Sequence, residues 1–353
     1  MFSILVTGGA GYIGSHTCLY LIKKGYKIIV FDSLINSTYK SLEKLVQITS
    51  KENKDFKKSL KFCKGDLRDI KNLEEIFIKA EKENSPITGV IHFGGLKSVQ
   101  ESVDFPYIYW ENNVCGSMNL IRIMEKYKCF KLVFSSSATV YGIKNSKLLK
   151  EEFELDPQNP YGNTKMVIEK LLQDIGQSSL NRNWKIAILR YFNPIGAHSS
   201  GLIGEDPTGE PNNIFPYITQ VAIGKLKMLK VYGSDWPTND GTGVRDYIHV
   251  MDLAEAHIEA LEFLSKLNEN ILTVNIGTGK GTSVLELINT FQKVNKIKIP
   301  YVIAERRDGD VPRLVADTSK SYSILKWKAK RNLQDMCRDG WKWQFLNPDG
   351  YQK

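Results

Sequence analysis

Tyr161 and Lys165 are four residues apart in the segment Tyr161-Gly162-Asn163-Thr164-Lys165, where the sequence predicts the start of a helix. Residues at this spacing emerge on one helix face, so the phenol and the ammonium would lie side by side. A tyrosine normally titrates near ~10, and a neighbouring cation favours the phenolate. The pair therefore predicts a general base that can act near neutral pH, helped further if a cationic nicotinamide binds beside it.

A third candidate, Ser137, ends the serine-rich stretch Phe134-Ser135-Ser136-Ser137 after a predicted strand. Open α/β sheets bind their ligands at the carboxyl ends of the strands. The Ser137 hydroxyl can donate to and accept from a substrate hydroxyl, and it can pass a proton to Tyr161. We predict Tyr161, Lys165 and Ser137 as catalytic residues. A tyrosine–lysine pair is frequent on ordinary helices, so this interpretation depends on the cofactor motif that precedes it.

That motif is the glycine-rich turn Thr7-Gly8-Gly9-Ala10-Gly11-Tyr12-Ile13-Gly14, between a predicted strand and a predicted helix. Gly8 permits a tight turn, Gly11 lets the backbone approach a pyrophosphate, and Gly14 lets the helix pack against the strand. The free N–H groups of the helix start attract the anion. Asp32 ends the next strand, where a carboxylate accepts both ribose hydroxyls and repels a ribose 2′-phosphate. The pattern predicts NAD rather than NADP.

Two later strand ends extend the predicted cofactor site. Asp66, in Gly65-Asp66-Leu67, follows the third strand and could accept from the adenine amino group. Read alone, it is equally well explained as a helix cap. The fourth strand is followed by Phe93-Gly94-Gly95-Leu96-Lys97. The small residues there would let a cofactor cross the sheet edge, and Lys97 could meet a phosphate.

Alternating short apolar runs and amphipathic stretches must position these residues, and they predict βαβ units with a parallel sheet. The runs are continuously apolar, as expected for strands that are buried on both faces. The fold class is therefore α/β, a Rossmann-type doubly wound parallel sheet with a second, smaller α/β lobe. The predicted strands are Ser3–Thr7, Lys27–Phe31, Leu60–Lys64, Gly89–His92, Lys131–Ser135 and Lys185–Leu189, with a later strand Leu272–Ile276 in the second lobe.

The sequence pattern changes after Arg190, where Gly, Pro and Asn cluster and the alternation of predicted strands and helices becomes less regular. We predict an NAD-binding domain with the catalytic residues over 1–190 and a substrate-binding domain over 191–353, with an approximate boundary and segments that can intermix. The length of 353 residues suits two lobes.

Composition excludes several other classes of protein. Lys and Arg total 48 against 39 Asp and Glu, which gives +9. No basic run with interleaved aromatic residues accompanies this surplus, so we expect a lysine-rich solvated surface and no nucleic-acid partner. No apolar run reaches the ~18 residues of a membrane span, and the N-terminus resembles no signal peptide.

The number and spacing of the cysteines also indicate in which cellular compartment the protein is expected. The five cysteines are scattered without a C-x-x-C pair, so we expect no disulfide frame, no metal site and a cytoplasmic location. We expect Cys115 and Cys129 to fill the core.

Longer strings resemble the extended short-chain dehydrogenase/reductase superfamily and, within it, the UDP-glucose 4-epimerase family. The resemblance covers essentially the full length, and its specific strings are Arg190-Tyr191-Phe192-Asn193-Pro194 and Gly241-Thr242-Gly243-Val244-Arg245-Asp246-Tyr247. Other matching stretches are Thr7–Gly14, Phe93–Lys97, Glu111–Val114, Ser135–Gly142, Pro160–Lys165, Arg190–Ala197, Gly204–Asn213, Asp240–Asp252, Arg306–Asp310 and Trp343–Tyr351.

The resemblance implies a tightly held NAD and a set of contacts for each ligand. Besides the glycines Gly8, Gly11, Gly14, Gly94 and Gly95, the implied cofactor contacts are Tyr12, Ile13, Asp32, Asn36, Asp66, Leu67, Phe93, Lys97, Asn112, Lys165 and Phe192. The implied substrate contacts are Ser137, Tyr161, Asn193, Asn213, Tyr232, Arg245, Arg307 and Asp310.

The implied activity is epimerisation of UDP-galactose and UDP-glucose at the sugar 4-position, within galactose metabolism. Tyr161 takes the 4-hydroxyl proton, NAD takes the hydride, and the 4-keto sugar turns over before the hydride returns. Arg245 and Arg307 would anchor the diphosphate. Leu314 stands where relatives have either an aromatic or a small residue, so it stays open whether UDP-N-acetylhexosamines also fit. The family also implies a homodimer formed through helices Asn112–Lys126 and Tyr161–Gln177.

Three alternatives remain at this stage. One is a 4-ketoreductase of the same superfamily, which would release oxidised cofactor. A second is a 4,6-dehydratase, but those enzymes carry an acidic pair where this chain has Ala138-Thr139. The third is a non-catalytic dinucleotide-binding protein, which would have no need to keep Tyr161, Lys165 and Ser137 together.

Overall fold

The computed structural model describes residues 2–51, 58–144, 146–179, 183–209, 211, 213–307 and 310–351. Residues 210, 212, 308 and 309, which fall in two of the family-like stretches, lie outside the described residues. Within the described part, the strands in chain order are β1 (Ser3–Thr7), β2 (Lys27–Asp32), β3 (Leu60–Lys64), β4 (Ile87–His92), β5 (Lys131–Ser137), β6 (Lys185–Tyr191), β7 (Asn193–Ile195), β8 (Leu229–Tyr232), β9 (Val244–Arg245), β10 (Tyr247–His249), β11 (Ile271–Ile276), β12 (Thr282–Ser283), β13 (Tyr301–Ala304) and β14 (Arg313–Leu314).

The helices cover both faces of the main sheet and build most of the second lobe. A π-helical turn, Trp110–Cys115, leads into the sixth α-helix, and a short 3₁₀ turn, Ala138–Tyr141, follows β5. The α-helices are α1 (Tyr12–Lys23), α2 (Lys40–Ser50), α3 (Ile70–Lys82), α4 (Val99–Asp104), α5 (Pro106–Tyr109), α6 (Gly116–Lys126), α7 (Pro160–Gln177), α8 (Ile214–Ala222), α9 (Val250–Phe263), α10 (Val284–Asn295), α11 (Ser319–Leu325) and α12 (Leu333–Leu346).

Seven strands form one parallel sheet in the order β11-β6-β5-β4-β1-β2-β3. From β1 the chain adds β2 and β3 on one side, and then β4, β5 and β6 on the other side. Such a switch point between β1 and β4 leaves a crevice beyond the carboxyl ends of the strands. The loops after β1 and β4 therefore meet there. The doubly wound parallel sheet predicted from the sequence is confirmed.

The central strands are buried on both faces. In β1, Ile4 and Val6 pack into the cluster that includes α1 and α9, whereas Leu5 packs into the cluster on the α3, α6 and α7 side. This division follows from the alternation of side chains along a strand. It explains why the strands read as continuous apolar runs.

The second lobe has its own apolar core. Helices α8, α10 and α12 pack around residues such as Phe215, Phe291 and Met336, with the Phe215 and Phe291 rings 6.0 Å apart and edge to face. Strands β8 and β13 form a parallel pair, and β9 lies between β12 and β14. In the part of the chain that the structure describes, none of the helices is long and apolar enough to cross a membrane.

Two elements from the second half of the sequence belong to the first lobe. Strand β11 pairs with β6 and completes the sheet, and α9 packs against α1. The sequence predicted a strand at Leu272–Ile276 but assigned it to the second lobe. In the structure this strand belongs to the sheet of the first lobe, which is one of the intermixed segments that the approximate boundary at residue 190 allows. Cys129 is buried as expected, but Cys115 is exposed, and the prediction that it fills the core was wrong.

Candidate active site

A cleft of about 530 Å³ opens at the switch point of the sheet. Its volume falls within the range of about 300–1,000 Å³ typical of ligand sites. Fifteen of the sixteen predicted cofactor residues line it, together with Tyr161. The fifteen are Gly8, Gly11, Tyr12, Ile13, Gly14, Asp32, Asn36, Asp66, Leu67, Phe93, Gly94, Gly95, Lys97, Asn112 and Lys165.

Two glycines of the glycine-rich loop, Gly8 and Gly14, have no room for a side chain. A Cβ on Gly14 would lie 2.2 Å from the Gly8 carbonyl oxygen, and one on Gly8 would lie 2.8 Å from the Gly94 nitrogen. Gly8 also has a φ of 68°, which glycine adopts without strain. Gly11 occupies the N-cap of α1 without a side-chain cap. Because the first N–H groups of a helix lack intrahelical partners, this loop fits a pyrophosphate.

Asp32 connects the loop to β2. Its Oδ2 accepts from the Ala10 N–H at 3.0 Å, and its Oδ1 accepts from the Leu34 N–H at 2.9 Å and the Ser37 hydroxyl at 2.8 Å. A carboxylate has roughly four acceptor positions. Three are used inside the chain, so the one left on Oδ2 is available to a ribose hydroxyl. The residues therefore fit a dinucleotide whose ribose carries no 2′-phosphate.

Two of the predicted cofactor residues, Asp66 and Lys97, form ion pairs with other side chains of the chain. Both oxygens of Asp66 accept from the Arg68 guanidinium, at 3.1 and 2.8 Å, and this pairing lowers the pKa of Asp66. The Lys97 ammonium lies 3.3 Å from Oε1 of Glu205, a residue of the opposite cleft wall that the sequence did not single out. An adenine amino group or a phosphate would share or replace these contacts.

Helix α7 places Tyr161 and Lys165 in the lining of the cleft. Asn159 caps the helix by accepting from the Gly162 N–H at 2.8 Å, and Pro160 occupies the first turn. Both residues favour a helix start at this point. The Lys165 ammonium donates to the Ser135 carbonyl oxygen at 2.9 Å and lies 6.0 Å from the centre of the Tyr161 ring. The predicted pair thus meets on one helix face.

Burial controls the titration of both groups. It lowers the pKa of Lys165 to about 8, although the neighbouring Glu169 carboxylate acts in the opposite direction. Burial also raises the pKa of Tyr161 well above its usual range, and the nearby Tyr191 phenol adds to that rise. The expectation that Lys165, together with a bound nicotinamide cation, makes Tyr161 a base near neutral pH concerns the NAD-loaded protein and stays a prediction.

Ser137 lies where the sequence placed it, at the end of β5, and its hydroxyl lowers the pKa of the Tyr161 phenol. Its hydroxyl is also 2.8 Å from the Thr139 hydroxyl and accepts from the Thr139 N–H at 3.2 Å. The Ala138 side chain is buried in an apolar cluster. Neither Ala138 nor Thr139 carries a carboxyl group, so the elimination chemistry of a dehydratase has no acid at these positions.

Tyr191, for which the sequence predicted no role, lines the cleft, and the predicted cofactor residue Phe192 does not. Phe192 was predicted to contact the cofactor, but its side chain is buried in the cluster with Val140 and Tyr141, and it does not line the cleft. Tyr191 lines the cleft and raises the pKa of the Tyr161 phenol. Tyr191 is the last residue of β6, and adjacent residues of an extended chain point to opposite sides, so Phe192 faces away from the cleft.

The remaining predicted substrate residues form a second group in the other lobe. Asp310 lies between two guanidinium groups, 3.0 Å from Arg307 and 3.6 Å from Arg245. The Arg307 guanidinium also stacks 4.9 Å from the Tyr232 ring centre. Arg245 donates to the carbonyl oxygens of Val244 and Val311. Two forked cations with one carboxylate between them suit a diphosphate beside a ribose.

Three further residues connect the two groups. The Asn213 amide donates to the Glu205 carboxylate at 3.3 Å, the same carboxylate that meets Lys97. Asn193 begins β7 and lies opposite Tyr247 of β10. Leu314 lies beside Arg245 in the β14–β9 pairing and packs against the apolar cluster that contains Ala138. These positions place Leu314 between the diphosphate cations and the serine-rich end of β5.

Comparisons with known proteins agree in outline with this geometry. A family model described as GDP-mannose 4,6 dehydratase matches residues 5–340. The UDP-glucose 4-epimerase of Bacillus subtilis (strain 168) is 50% identical over 350 residues, which is 99% of this chain and 99% of that protein. The family model is named for a dehydratase, but this chain lacks the acidic pair that we expect of a dehydratase.

Two solved structures are also similar over nearly the full length. A UDP-glucose 4-epimerase from Stenotrophomonas maltophila with bound NAD and formylated UDP-arabinopyranose has a TM-score of 0.92 at 44% identity, with 99% of each chain covered. A UDP-glucose 4-epimerase from Bifidobacterium longum in complex with NAD⁺ and UDP has a TM-score of 0.90, also at 44% identity, with 99% of each chain covered.

Proposed function

Because this chain belongs to the UDP-glucose 4-epimerase family, we propose that it is an NAD-dependent isomerase that interconverts UDP-galactose and UDP-glucose. The observation that carries the proposal is that Tyr161 and Lys165 lie together in the lining of the cleft that also contains the glycine-rich loop and Asp32, with Ser137 near the Tyr161 phenol. Bound NAD supplies an acceptor for the hydride of the sugar 4-position and returns it to the other face.

The cofactor residues divide by chemistry. The α1 start at Gly11, Tyr12 and Ile13 would hold the pyrophosphate through N–H groups, and Asp32 would hold a ribose hydroxyl. The Lys97 ammonium offers a cation to the same anion. Asn36, Asp66, Leu67, Phe93, Gly94, Gly95 and Asn112 complete the described wall of the cleft.

Hydroxyl groups of the chain carry out the acid–base chemistry. The Tyr161 phenolate accepts the proton of the sugar 4-hydroxyl, directly or through Ser137, and gives it back when the opposite epimer forms. Lys165 keeps a positive charge beside the phenolate. Since the proton returns to the sugar, one residue serves in both directions of the reaction.

Substrate binding is assigned to the second group of residues. Arg245 and Arg307 bind the diphosphate and Asp310 accepts from the uridine ribose, while Asn193, Asn213 and Tyr232 complete the contacts. Strong anchoring at the diphosphate gives affinity without fixing one sugar face. A keto sugar held in this way can turn over before reduction. We assign cofactor binding mainly to residues 1–190 and substrate binding mainly to 191–353, with β11 and α9 as exceptions.

The test of this function separates it from its nearest alternatives. Purified protein with bound NAD should convert UDP-galactose to UDP-glucose without added cofactor. A 4-ketoreductase would need a continuous supply of reduced cofactor, and a dinucleotide-binding protein without activity would convert nothing. Failure of conversion in protein that carries NAD would overturn the proposal.

The alkaline side of the pH profile should report Lys165. Its pKa of about 8 lies below the usual lysine value, so its positive charge is complete well below pH 8 and is lost as the pH rises through that value. We expect kcat/KM to fall above about pH 8. In Lys165→Arg, whose guanidinium stays protonated, this fall should disappear. An unchanged alkaline fall in the arginine variant would contradict the assignment.

Leu314 should limit the choice of sugar. Its side chain is intermediate in size between the aromatic and small residues of relatives, so we expect a preference for UDP-glucose and UDP-galactose over UDP-N-acetylglucosamine. One methylene in a pocket typically changes kcat/KM by about 10–200-fold. Leu314→Ala should therefore raise the relative rate on N-acetylated sugars. Equal kcat/KM for both sugar pairs in the unaltered protein would contradict the preference.

We also propose a homodimer built through the region around Asn112–Lys126 and Tyr161–Gln177. Supporting it, several large apolar side chains are exposed just before and within α6, and contiguous apolar surface marks association sites. They are Val99, Val103, Phe105, Tyr107, Trp110 and Met118. Light scattering at micromolar concentration should give twice the mass of one chain. Met118→Glu should shift the measured mass toward that of a single chain. A single-chain mass for the unaltered protein would contradict this.

A cytoplasmic location and a place in galactose metabolism complete the proposal. The five cysteines are all free, which suits a reducing compartment. UDP-galactose is the activated form in which galactose carbon would reach this site. Recovery of the protein in an oxidising compartment on cell fractionation would contradict the location.

A further inference from the structure

The last described segment of the chain packs against one wall of the cofactor cleft. We define the wall loop as residues 204–208 and the end segment as residues 343–351. All five residues of the wall loop line the cleft, and so does Tyr351 of the end segment. The stretch Trp343–Tyr351 is one of those that resemble the family, and the proposed function assigns no role to it.

Tyr351 binds the wall loop through its side chain and through its backbone. The hydroxyl accepts from the Gly204 N–H at 3.1 Å and donates to the Gly204 carbonyl oxygen at 3.3 Å. The Tyr351 N–H donates to Oδ2 of Asp206 at 2.9 Å. Because Tyr351 is only 8% exposed, little water is present to replace these bonds, and a buried polar group without a partner is costly.

Trp343, in the last turn of α12, is the second attachment. Its Nε1 donates to the Glu205 carbonyl oxygen at 3.0 Å. A Cβ on Gly204 would lie 2.3 Å from the Trp343 ring, so the loop packs this closely because glycine is at this position. The Trp343 and Tyr351 rings are themselves in contact, with their centres 4.6 Å apart. The two residues therefore hold the backbone of the wall loop as one unit.

The end segment has a firm support in the rest of the fold. Trp343 and Tyr351 belong to the apolar cluster that includes residues of α1, whereas Met336 of α12 lies in the core of the second lobe. Asn347 adds a hydrogen bond to the Gly201 carbonyl oxygen at 2.9 Å, just before the wall loop. Helix α12 and the residues that follow it thus connect both lobes to this wall.

Other groups hold the wall loop by its charged side chain. The Lys97 ammonium and the Asn213 amide both contact the Glu205 carboxylate, each at 3.3 Å. A pyrophosphate in the cleft would compete with that carboxylate for the Lys97 ammonium. Trp343 and Tyr351 bind the backbone of the loop instead, so their contacts do not depend on this competition.

We propose that Trp343 and Tyr351 are positioning residues that hold the wall loop over the bound dinucleotide and set how slowly NAD leaves the protein. The proposal rests on the proposed function, in which the same cofactor is needed for both hydride transfers. Loss of the cofactor between them would leave a keto sugar that this site could not reduce. A wall held by hydrogen bonds and ring packing keeps its place beside two charged ligands.

The test measures how fast bound NAD labelled with ¹⁴C exchanges with excess unlabelled NAD, in the absence of sugar nucleotide. NAD leaves when the wall loop opens, so the exchange rate follows the open population. Tyr351→Phe removes the hydroxyl that binds Gly204 and should speed up exchange by about 2–12-fold, the equivalent of one neutral hydrogen bond. Trp343→Phe keeps a ring but loses the N–H that binds Glu205, and it should act in the same direction.

Tyr322→Phe and Trp341→Phe are the matched controls. Tyr322 is an exposed tyrosine of α11, and Trp341 is on α12 but packs against Phe291 in the second lobe. Both should exchange NAD at the wild-type rate. An unchanged exchange rate in either Tyr351→Phe or Trp343→Phe, even with a lower unfolding midpoint, or an equal rise in the controls, would overturn the proposal. If exchange behaves as expected but no sugar is interconverted, the proposed function fails and this role of the end segment stands.

Discussion

Replacement of Tyr161 by phenylalanine is expected to reduce the epimerase kcat by about 10²–10⁴-fold, the usual contribution of a positioned acid–base group. The variant lacks the only atom of this side chain that can take the proton of the sugar 4-hydroxyl. Tyr161 lies on α7, whereas the glycine loop follows β1 and Asp32 ends β2. Bound NAD should therefore stay near the wild-type amount, so the loss should be one of kcat.

A matched control is Tyr26→Phe, which also removes a phenolic hydroxyl from the first lobe. That hydroxyl donates to Glu262 at 3.1 Å on a surface between helices, away from the cleft. The control should retain full activity. The measurement is the rate of UDP-glucose formation together with the NAD content of each purified protein. Unchanged turnover in Tyr161→Phe would contradict the assigned base.

Replacement of Glu169 by glutamine should cost about 3–5 kcal/mol of unfolding free energy, the range for breaking a buried ion pair by removing one partner. Glu169 accepts from Nε of Arg190 at 3.0 Å and from Nη2 at 2.6 Å, and both side chains are almost completely buried. The Ser136 hydroxyl donates to the same carboxylate. Without the negative charge, the guanidinium is left buried without compensation below the serine-rich strand end.

Asp174→Asn offers the comparison on the same helix. Asp174 pairs with Lys170 at 2.8 Å, but both side chains are more than half exposed. Such surface pairs contribute about 0.3–0.5 kcal/mol. Denaturant unfolding of the NAD-loaded proteins should separate the two variants clearly. A loss below about 1 kcal/mol for Glu169→Gln would show that the pair does not hold α7 to the sheet.

Much of the fold follows from local patterns. The continuous apolar runs of β1, β2 and β4 can only be buried on both faces, and the glycines at the start of α1 suit only a close backbone approach. The spacing of Tyr161 and Lys165 fixes their shared helix face in the same way. Each of these predictions concerns residues close together in sequence, where periodicity and backbone sterics decide the outcome.

The remainder depends on contacts between distant segments. The β11 strand joins the sheet because Ile271 aligns with Ile186, a pairing that no periodicity reveals. Tyr191 lines the cleft and Phe192 packs into an apolar cluster with Val140, and the sequence pattern does not show which of the two adjacent rings takes which place. The raised pKa of Tyr161 results mainly from burial, to which segments distant in sequence contribute.

The central claim, that hydride leaves carbon 4 of the sugar and returns to the same carbon, is tested most directly with UDP-galactose carrying deuterium at that position. The purified protein, with its bound NAD and no added cofactor, should form UDP-glucose that still carries the deuterium at carbon 4, as read by mass spectrometry and NMR. Product with ordinary hydrogen at carbon 4, or formation of product only when reduced cofactor is added, would contradict the account.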